Sequence, residues 1–145
     1  MDITQQIGLS TELHCILDLT NLGIRCLTPV DDSSKYDVVA DIDGKFIRIQ
    51  CKSSKWARNV AHNNEAFEFS TIRMTINTKK ATRYKYNANE IDYFYTWFNG
   101  QGYLVSVDEA QGTQFRLRYE YPSNNQKEGI HLAENYKIEG VLKVI

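Results

Sequence analysis

Residues 36–52 read YDVVADIDGKFIRIQCK. Two runs of alternating apolar and polar residues flank Asp43-Gly44. An Asp-Gly pair in this setting is a strong signal for a β-hairpin with a two-residue turn. Such a turn pairs Ile42 with Lys45 and fixes the register of both strands. The stretch therefore predicts an antiparallel hairpin in which every later pair follows by counting.

The register predicts which polar side chains of the hairpin meet. Counting back from the turn places Asp37 opposite Gln50, and directly opposed side chains project from the same face. Lys52 returns to that face because side chains alternate along a strand, whereas Cys51 points to the other face. A carboxylate, an amide and an ammonium group are therefore predicted to converge, and this combination suits chemistry on a phosphate.

A further carboxylate precedes the hairpin. Residues 5–22 have helical periodicity. The predicted apolar stripe of this helix consists of Leu9, Leu13, Ile16, Leu17 and Thr20. Glu12 lies on or beside the stripe, where a carboxylate is costly without a partner. We therefore expect Glu12 to join the polar groups of the hairpin; an ordinary position at the edge of the surface is the alternative.

The remaining pattern predicts a mixed sheet of about five strands. Residues 67–76 alternate and predict one strand, and residues 79–89 are compatible with helix or loop. Residues 91–98 form an apolar, aromatic strand, and Asn99-Gly100 signals a second hairpin whose return strand covers 103–107. No linker or internal repeat is visible, so the pattern predicts one α/β domain over 1–145.

Composition sets broad limits. The chain has 145 residues, of which 42% are apolar, and this suits one domain with one core. No apolar run approaches the roughly 18 residues of a membrane span, and the first residues do not resemble a signal peptide. We therefore expect no membrane association. The expected location is the cytoplasm, with a substrate associated with the prokaryotic nucleoid, or an organelle. The three cysteines lack zinc-site spacing.

Charge is unevenly distributed. Residues 45–85 contain ten basic and two acidic side chains, a net charge of +8, whereas the rest of the chain carries −9. A basic block in an otherwise acidic protein indicates a surface that faces a polyanion. An ordinary solvated face is the alternative, but the block begins inside the predicted site.

The converging groups suit a metal-assisted reaction on a phosphodiester. Mg²⁺ or Mn²⁺ prefers oxygen ligands and commonly binds one or two carboxylates together with substrate phosphate. Asp37 is the expected principal ligand, joined by the side-chain oxygen of Gln50 and the backbone carbonyl of Cys51, with Glu12 as an additional carboxylate. Lys52 is expected to orient or deprotonate the attacking water, or to stabilise the phosphate in the transition state.

These residues resemble the PD-(D/E)XK nuclease superfamily, and later segments resemble its branch of homing endonucleases associated with group I introns. The matching segments are Gly8-Leu9-Ser10-Thr11-Glu12, Asp37, Gln50-Cys51-Lys52, Glu90-Ile91-Asp92-Tyr93-Phe94, Gly102-Tyr103-Leu104-Val105, Arg116-Leu117-Arg118-Tyr119, Asn124-Asn125-Gln126-Lys127 and Ala133-Glu134-Asn135-Tyr136. The resemblance implies a restriction-endonuclease-like αβββαβ core with a mixed sheet, Mg²⁺-dependent cleavage of double-stranded DNA, and a symmetric homo-oligomer, either dimer or tetramer. It also implies catalytic roles for Glu12, Asp37, Gln50 and Lys52.

The sequence departs from the family pattern at one position. Gln50 is an amide where the motif usually has a carboxylate, so the predicted metal site has one negative charge fewer. Two alternatives therefore stay open. One is a catalytically inactive relative that binds DNA, and the other is a nuclease that resolves Holliday junctions, which would share the core and the dimer.

The predicted regions are a catalytic core over about 8–110, a DNA-contacting segment over about 54–89 and a C-terminal extension over 111–145. The predicted DNA-contacting residues are Arg48, Lys55, Arg58, Thr71, Arg73, Thr75, Lys79, Lys80, Arg83 and Lys85. Among them, Arg73 with Thr71 and Thr75 is expected to enter a groove as part of a β-ribbon, and the later lysines and Arg83 are expected to hold phosphates. The loop residues His62, Asn63 and Asn64 are further candidates; an exposed turn is the alternative for them.

Overall fold

The computed structural model describes residues 1–58, 65–77 and 80–145, with the backbone alone for residues 76 and 77. The helices are α1 (Ile3–Asn21), a 3₁₀ helix (Ala133–Tyr136) and α2 (Ile138–Leu142). The strands are β1 (Arg25–Leu27), β2 (Val38–Ile42), β3 (Lys45–Cys51), β4 (Lys55–Trp56), β5 (Ala66–Ser70), β6 (Ile72–Asn77), β7 (Lys80–Lys85), β8 (Tyr93–Phe98), β9 (Gln101–Ser106) and β10 (Gln114–Arg118). Within these described residues, no helix is long and apolar enough to span a membrane.

Helix α1 begins two residues before the predicted start because of its cap. The Asp2 carboxylate accepts a hydrogen bond from the Gln5 backbone N–H at 2.9 Å, and the Gln5 side chain accepts one from the Asp2 N–H at 3.1 Å. This reciprocal pair satisfies two backbone donors that the first turn leaves free. The chain leaves the helix through Gly23, whose φ of +77° suits glycine.

The apolar stripe predicted for α1 is wrong for its leucines, because the helix has two apolar faces, whereas Ile16 of that stripe packs against the core. Thr11, Cys15 and Leu19 are buried against the sheet. Leu13 and Leu17, from the predicted stripe, are 55% and 54% exposed and point away from the sheet. Helical periodicity detects an apolar row but does not show which of two rows meets the sheet.

The predicted hairpin and its register are confirmed. Strands β2 and β3 pair antiparallel, from Ile42 with Lys45 at the turn to Val38 with Ile49 at the far end. The turn residues Asp43 and Gly44 both have positive φ, as a type I′ turn requires.

The hairpin lies inside a mixed five-stranded sheet with the order β1-β2-β3-β8-β9. Strands β3 and β8 run parallel and the other neighbours run antiparallel. The second predicted hairpin, at Asn99-Gly100, joins β8 to β9. The order of α1 and the first three strands agrees with the implied αβββαβ core. In the described part of the connection from β3 to β8, four short strands occupy the place of the implied second helix.

Apolar side chains cover both faces of this sheet. On one face, Cys15 and Leu19 of α1 pack with sheet residues that include Ile49 and Tyr95. On the other face, Phe94 packs with residues of the three-stranded sheet β10-β5-β4, which include Phe67. The helix and the second sheet thus hold β8 between two apolar layers, with Tyr95 on one side and Phe94 on the other. Strand β3 pairs with β8, and this pairing fixes the position of the hairpin end.

The single strand predicted over 67–76 is wrong, because the chain changes sheets at Thr71. The Thr71 hydroxyl donates to the Gly112 carbonyl at 2.6 Å, and its N–H donates to the Thr113 carbonyl at 3.0 Å. Strand β5 therefore ends, and β6 instead pairs with β7, where the sequence was compatible with helix or loop. We call the paired strands β6 and β7 the basic ribbon.

Candidate active site

Asp37 immediately precedes β2 and is fixed by two hydrogen bonds to the neighbouring strand. Its N–H donates to the Ile49 carbonyl at 2.8 Å, and its Oδ2 accepts from the Cys51 N–H at 2.9 Å. The antiparallel pairing of β2 with β3 ends at Val38 and Ile49, so Asp37 is not paired directly with Gln50 as the register predicted. Its carboxylate instead reaches the backbone of β3 beside Gln50 and Lys52.

Gln50 and the carbonyl of Cys51 lie together at the end of β3. The Gln50 Nε2 donates to the Cys51 carbonyl oxygen at 3.3 Å. Rotation of the amide about its last torsion exchanges Nε2 for Oε1 beside that carbonyl. In that rotamer the two oxygens predicted as metal ligands would be adjacent, and a cation between them would replace the amide hydrogen bond.

Cys51 contributes only its backbone to this side of the sheet. Its side chain is 9% exposed and packs with Cys15 in the core under α1. A hydrogen bond with Cys15 and burial raise the pKa of the Cys51 thiol well above its ordinary value. The thiol therefore stays protonated and serves as a core side chain, as the alternation of the strand predicts.

Lys52 follows β3 and is half-buried. Its backbone N–H donates to the Tyr95 carbonyl at 2.8 Å, which continues the pairing with β8. Its Nζ donates to the Ile72 carbonyl at 2.9 Å, at the start of the basic ribbon. Burial lowers the pKa of Lys52, the charge of Arg73 lowers it further, and the charge of Asp37 opposes both.

Glu12 approaches the same place from α1. It is half-buried, and burial followed by repulsion from Asp37 raises the pKa of its carboxyl. Burial also raises the pKa of Asp37, opposed by the Cys51 N–H and by Lys52. Both carboxylates line a cleft of about 500 Å³. The helix and the hairpin thus bring Glu12 and Lys52 each within electrostatic reach of Asp37.

The oxygens of Glu12, Asp37, Gln50 and the Cys51 backbone suit a hard divalent cation. Two partly buried carboxylates that repel each other, an amide oxygen and a backbone carbonyl are the donor types that Mg²⁺ accepts. The described residues contain no cluster of three or more His, Cys, Asp or Glu side chains that would hold a metal by themselves. Binding of a metal ion here would therefore need the Gln50 amide and the Cys51 carbonyl as well as the carboxylates of Glu12 and Asp37.

Tyr86 belongs to the site, although nothing in the sequence singled it out. It follows β7, is 7% exposed, and its ring centroid lies 5.2 Å from the Lys52 Nζ. This distance is typical of a cation–π contact. Burial and the charge of Asp37 raise the pKa of its hydroxyl to about 12. A tyrosine in a basic segment carries no sequence signal of this kind, because its position depends on where the ribbon returns.

The basic ribbon carries five of the ten predicted DNA-contacting residues. Thr75, Lys80, Arg83 and Lys85 are exposed on it. Arg73 pairs with Tyr84 near the base of the ribbon and is half-buried, with its charge close enough to affect the pKa of Lys52. Lys55 and Arg58 are exposed but lie outside the ribbon, near β4.

Two residues predicted to contact DNA have side chains that are used within the fold. Thr71 is 2% exposed and its hydroxyl is used by Gly112, so it is part of the fold rather than of an accessible face. The Arg48 guanidinium makes four hydrogen bonds within the chain: two to the Asp92 carboxylate and two to the carbonyls of Ala88 and Asn89. Its donors hold β3 to the segment before β8. The remaining candidates Lys79, His62, Asn63 and Asn64 lie outside the described residues.

Comparison with known proteins agrees with the fold. A sequence model described as PD-(D/E)XK endonuclease matches residues 2–139. Among solved structures, the chain is similar to the bacterial homing endonuclease I-Ssp6803I, with a TM-score of 0.78 and 21% identity over 99% of this chain and 94% of that one. No curated protein matches the chain. The matching family model covers nearly the whole sequence, including every residue of the cleft, and the chain therefore belongs to the PD-(D/E)XK endonuclease family.

Proposed function

We propose that this nuclease is a sequence-specific, metal-dependent endonuclease that hydrolyses both strands of DNA, as an intron-encoded homing endonuclease does. The observation that carries the proposal is the position of Lys52. Its ammonium group lies between the carboxylate of Asp37 and the base of the basic ribbon. The reactive groups and the DNA-facing surface therefore meet at one point of the single nuclease domain that we infer over 1–145.

Each predicted catalytic or metal-binding residue has a proposed part in the reaction. Asp37, Gln50 and the Cys51 carbonyl would hold Mg²⁺ or Mn²⁺, with Glu12 as an additional carboxylate. When bound, the metal would neutralise charge on the scissile phosphate and activate a water molecule. Lys52 holds a proton at Nζ beside the phosphate position and stabilises the negative charge that develops there. Asp37 in turn favours the protonated form of Lys52.

DNA recognition is assigned to the basic ribbon. Two-stranded ribbons fit the major groove, and exposed polar and basic residues on both of its faces provide phosphate and base contacts. Thr75 pairs with Thr82 on one face, and Arg83 pairs with Met74 on the other. Arg73 contacts DNA nearest to the cleft in this proposal. A groove-reading ribbon favours a linear target over a four-way junction, which is recognised mainly by shape.

A homo-oligomer follows from the same proposal, because each chain has one cleft and a duplex has two strands to cut. We propose that the outer face of α1, with Leu9, Leu13 and Leu17, packs against a second copy. The three leucines are 44%, 55% and 54% exposed and line one apolar groove together with Met1 and His14. Exposed apolar rows of this kind mark protein interfaces.

The test is cleavage of a randomised DNA library. Purified protein is incubated with the library and MgCl₂, and the cut ends are sequenced. We expect double-strand cuts at one recurring long site, none with EDTA in place of metal, and none with D37N. A four-way junction of unrelated sequence is the parallel substrate. Cleavage of the junction alone would identify a resolvase, and binding without any cleavage under several divalent metals would identify an inactive relative.

A further inference from the structure

The catalytic lysine is held by both ends of the basic ribbon. Its Nζ donates to the carbonyl of Ile72, the first residue of β6, and lies over the ring of Tyr86, the first residue after β7. Carbonyl oxygens and aromatic ring faces both attract an ammonium group. Two of the directions around Nζ are therefore occupied, one by the Ile72 carbonyl and one by the Tyr86 ring.

Both ribbon ends are anchored to the body of the protein. Thr71, immediately before β6, is tied through its hydroxyl to Gly112 at 2.6 Å. Tyr86 packs edge-on against Phe94 of β8 with ring centroids 5.5 Å apart. The outer part of the ribbon has exposed side chains on both strands. The base of the ribbon is thus rigid where it holds Lys52.

We propose that Tyr86 and the Ile72 carbonyl form a seat that positions Lys52 for the reaction, so that the basic ribbon binds DNA and aims the catalytic ammonium through one rigid base. Tyr86 is a positioning residue in this scheme, since it acts through Lys52. The inference rests on the proposed nuclease function. It assigns to the ribbon a part in the chemical step in addition to DNA binding.

The experiment compares three tyrosine variants in single-turnover cleavage with protein in excess over DNA. Y86F keeps the ring face and should cut at the wild-type rate. Y86L removes the ring and should cut about 10- to 100-fold more slowly, the cost of misplacing a reacting group, while its Kd for DNA changes little. Y103L is the matched control, because Tyr103 is a 3% exposed tyrosine of the same core cluster.

A variant at a different position tests the Ile72 side of the seat and leaves Lys52 and Tyr86 unchanged. T71V removes the hydroxyl that fixes the chain before Ile72 and nearly preserves side-chain volume. We expect a slower cleavage step and an unchanged Kd. Thermal unfolding of every variant identifies those that lose stability, and rates are compared at a temperature where each is folded.

Nuclear magnetic resonance gives a readout that a purely structural role would not produce. The aromatic ring should shift the Lys52 ε-methylene proton signals upfield in wild type and Y86F, and this shift should disappear in Y86L; K52A assigns the signals. Equal cleavage rates for Y86L and Y86F, or unchanged Lys52 signals in Y86L, would overturn the seat. The proposed function would stand in that case, because it is judged separately, by whether the wild-type protein makes metal-dependent cuts at a recurring site in linear DNA.

Discussion

The carboxylate of Asp37 accepts a hydrogen bond from the backbone N–H of Cys51 at 2.9 Å, across the end of the β2–β3 hairpin. One oxygen of the carboxylate is therefore fixed, and the group is held beside the Cys51 carbonyl. The charge of Asp37 also affects the pKa of both Glu12 and Lys52. Asp37 is thus the residue through which the helix, the hairpin and the lysine are electrostatically connected.

Removal of either central charge should stop catalysis and spare binding. We expect D37N and K52A each to lower the single-turnover cleavage rate by at least about 100-fold, the usual cost of losing a group that acts on the transition state. Their Kd for target DNA, measured by gel shift in Ca²⁺, should stay close to that of wild type. Near-wild-type cleavage by K52A would remove Lys52 from the mechanism.

Gln50 provides a test of the metal ligands. Q50E restores the carboxylate that the family motif usually has and adds a negative charge beside the Cys51 carbonyl. We expect it to reach half-maximal cleavage at a lower Mg²⁺ concentration, because a carboxylate binds a hard cation more strongly than an amide does. Isothermal titration with Mn²⁺ measures the affinity directly, and Q50A should bind most weakly. Weaker binding by Q50E than by wild type would contradict the ligand assignment.

We expect two basic residues of the ribbon, Lys80 and Arg73, to differ in their effects on DNA binding and cleavage. Lys80 is exposed at the outer part of the ribbon, and we expect K80A to raise Kd for all sequences alike and to reduce the salt slope of log Kd by about 1. Arg73 lies at the base beside Lys52, so R73A should relax base preference and also slow cleavage at saturating DNA. Filter binding at several salt concentrations, together with single-turnover rates, separates the two. Identical profiles for R73A and K80A would refute the division.

Arg48 should matter for stability. Asp92 accepts hydrogen bonds from the Arg48 backbone N–H at 2.8 Å and from its guanidinium at 3.0 and 3.1 Å. We expect D92N to lower the free energy of unfolding by about 1–2 kcal/mol in urea titrations at pH 7. R48A should be destabilised similarly, and its Kd for DNA should change less than that of K80A.

The same ion pair gives a pH dependence with a defined sign. Hydrogen bonds from Arg48 and its positive charge outweigh burial and lower the pKa of Asp92 in the folded protein. A lowered folded-state pKa contributes stability that is present above the ordinary carboxyl pKa of about 3.9 and is lost as pH falls through the folded-state value. The stability difference between wild type and D92N should therefore be constant near neutral pH and shrink below about pH 4. A difference that grows on acidification would contradict the assignment.

The outer face of α1 should control assembly. Leu13 is 55% exposed, so L13E introduces a charge into the proposed interface with little cost to the core. We expect light scattering to show a dimer or tetramer for wild type and a monomer for L13E. Double-strand cutting by L13E should fall more than nicking does. Replacement of Ile3, which is 67% exposed near the start of the same helix, by glutamate is a control for added charge.

The sequence determined the local parts of this protein. The Asp43-Gly44 turn and the alternation on either side specified a hairpin, and a two-residue turn leaves only one register, so the pairing through Val38 and Ile49 could be counted. The end of that hairpin placed Asp37, Gln50 and Lys52 together. The positions of α1 and of the second hairpin followed from periodicity and from another turn signal in the same way.

The tertiary structure decided everything that depends on which surface meets which. Two apolar rows on α1 look alike in sequence, and only packing shows that Cys15 and Leu19 face the sheet while Leu13 and Leu17 do not. The sequence pattern places Thr71 inside one long strand, but its hydrogen bonds to the carbonyls of Gly112 and Thr113 end that strand, and the ribbon begins at the next residue. The structure also gives Arg48 and Tyr86 roles that the sequence pattern did not predict. A contact between residues distant in sequence depends on how whole elements pack, and a local sequence pattern does not contain that information.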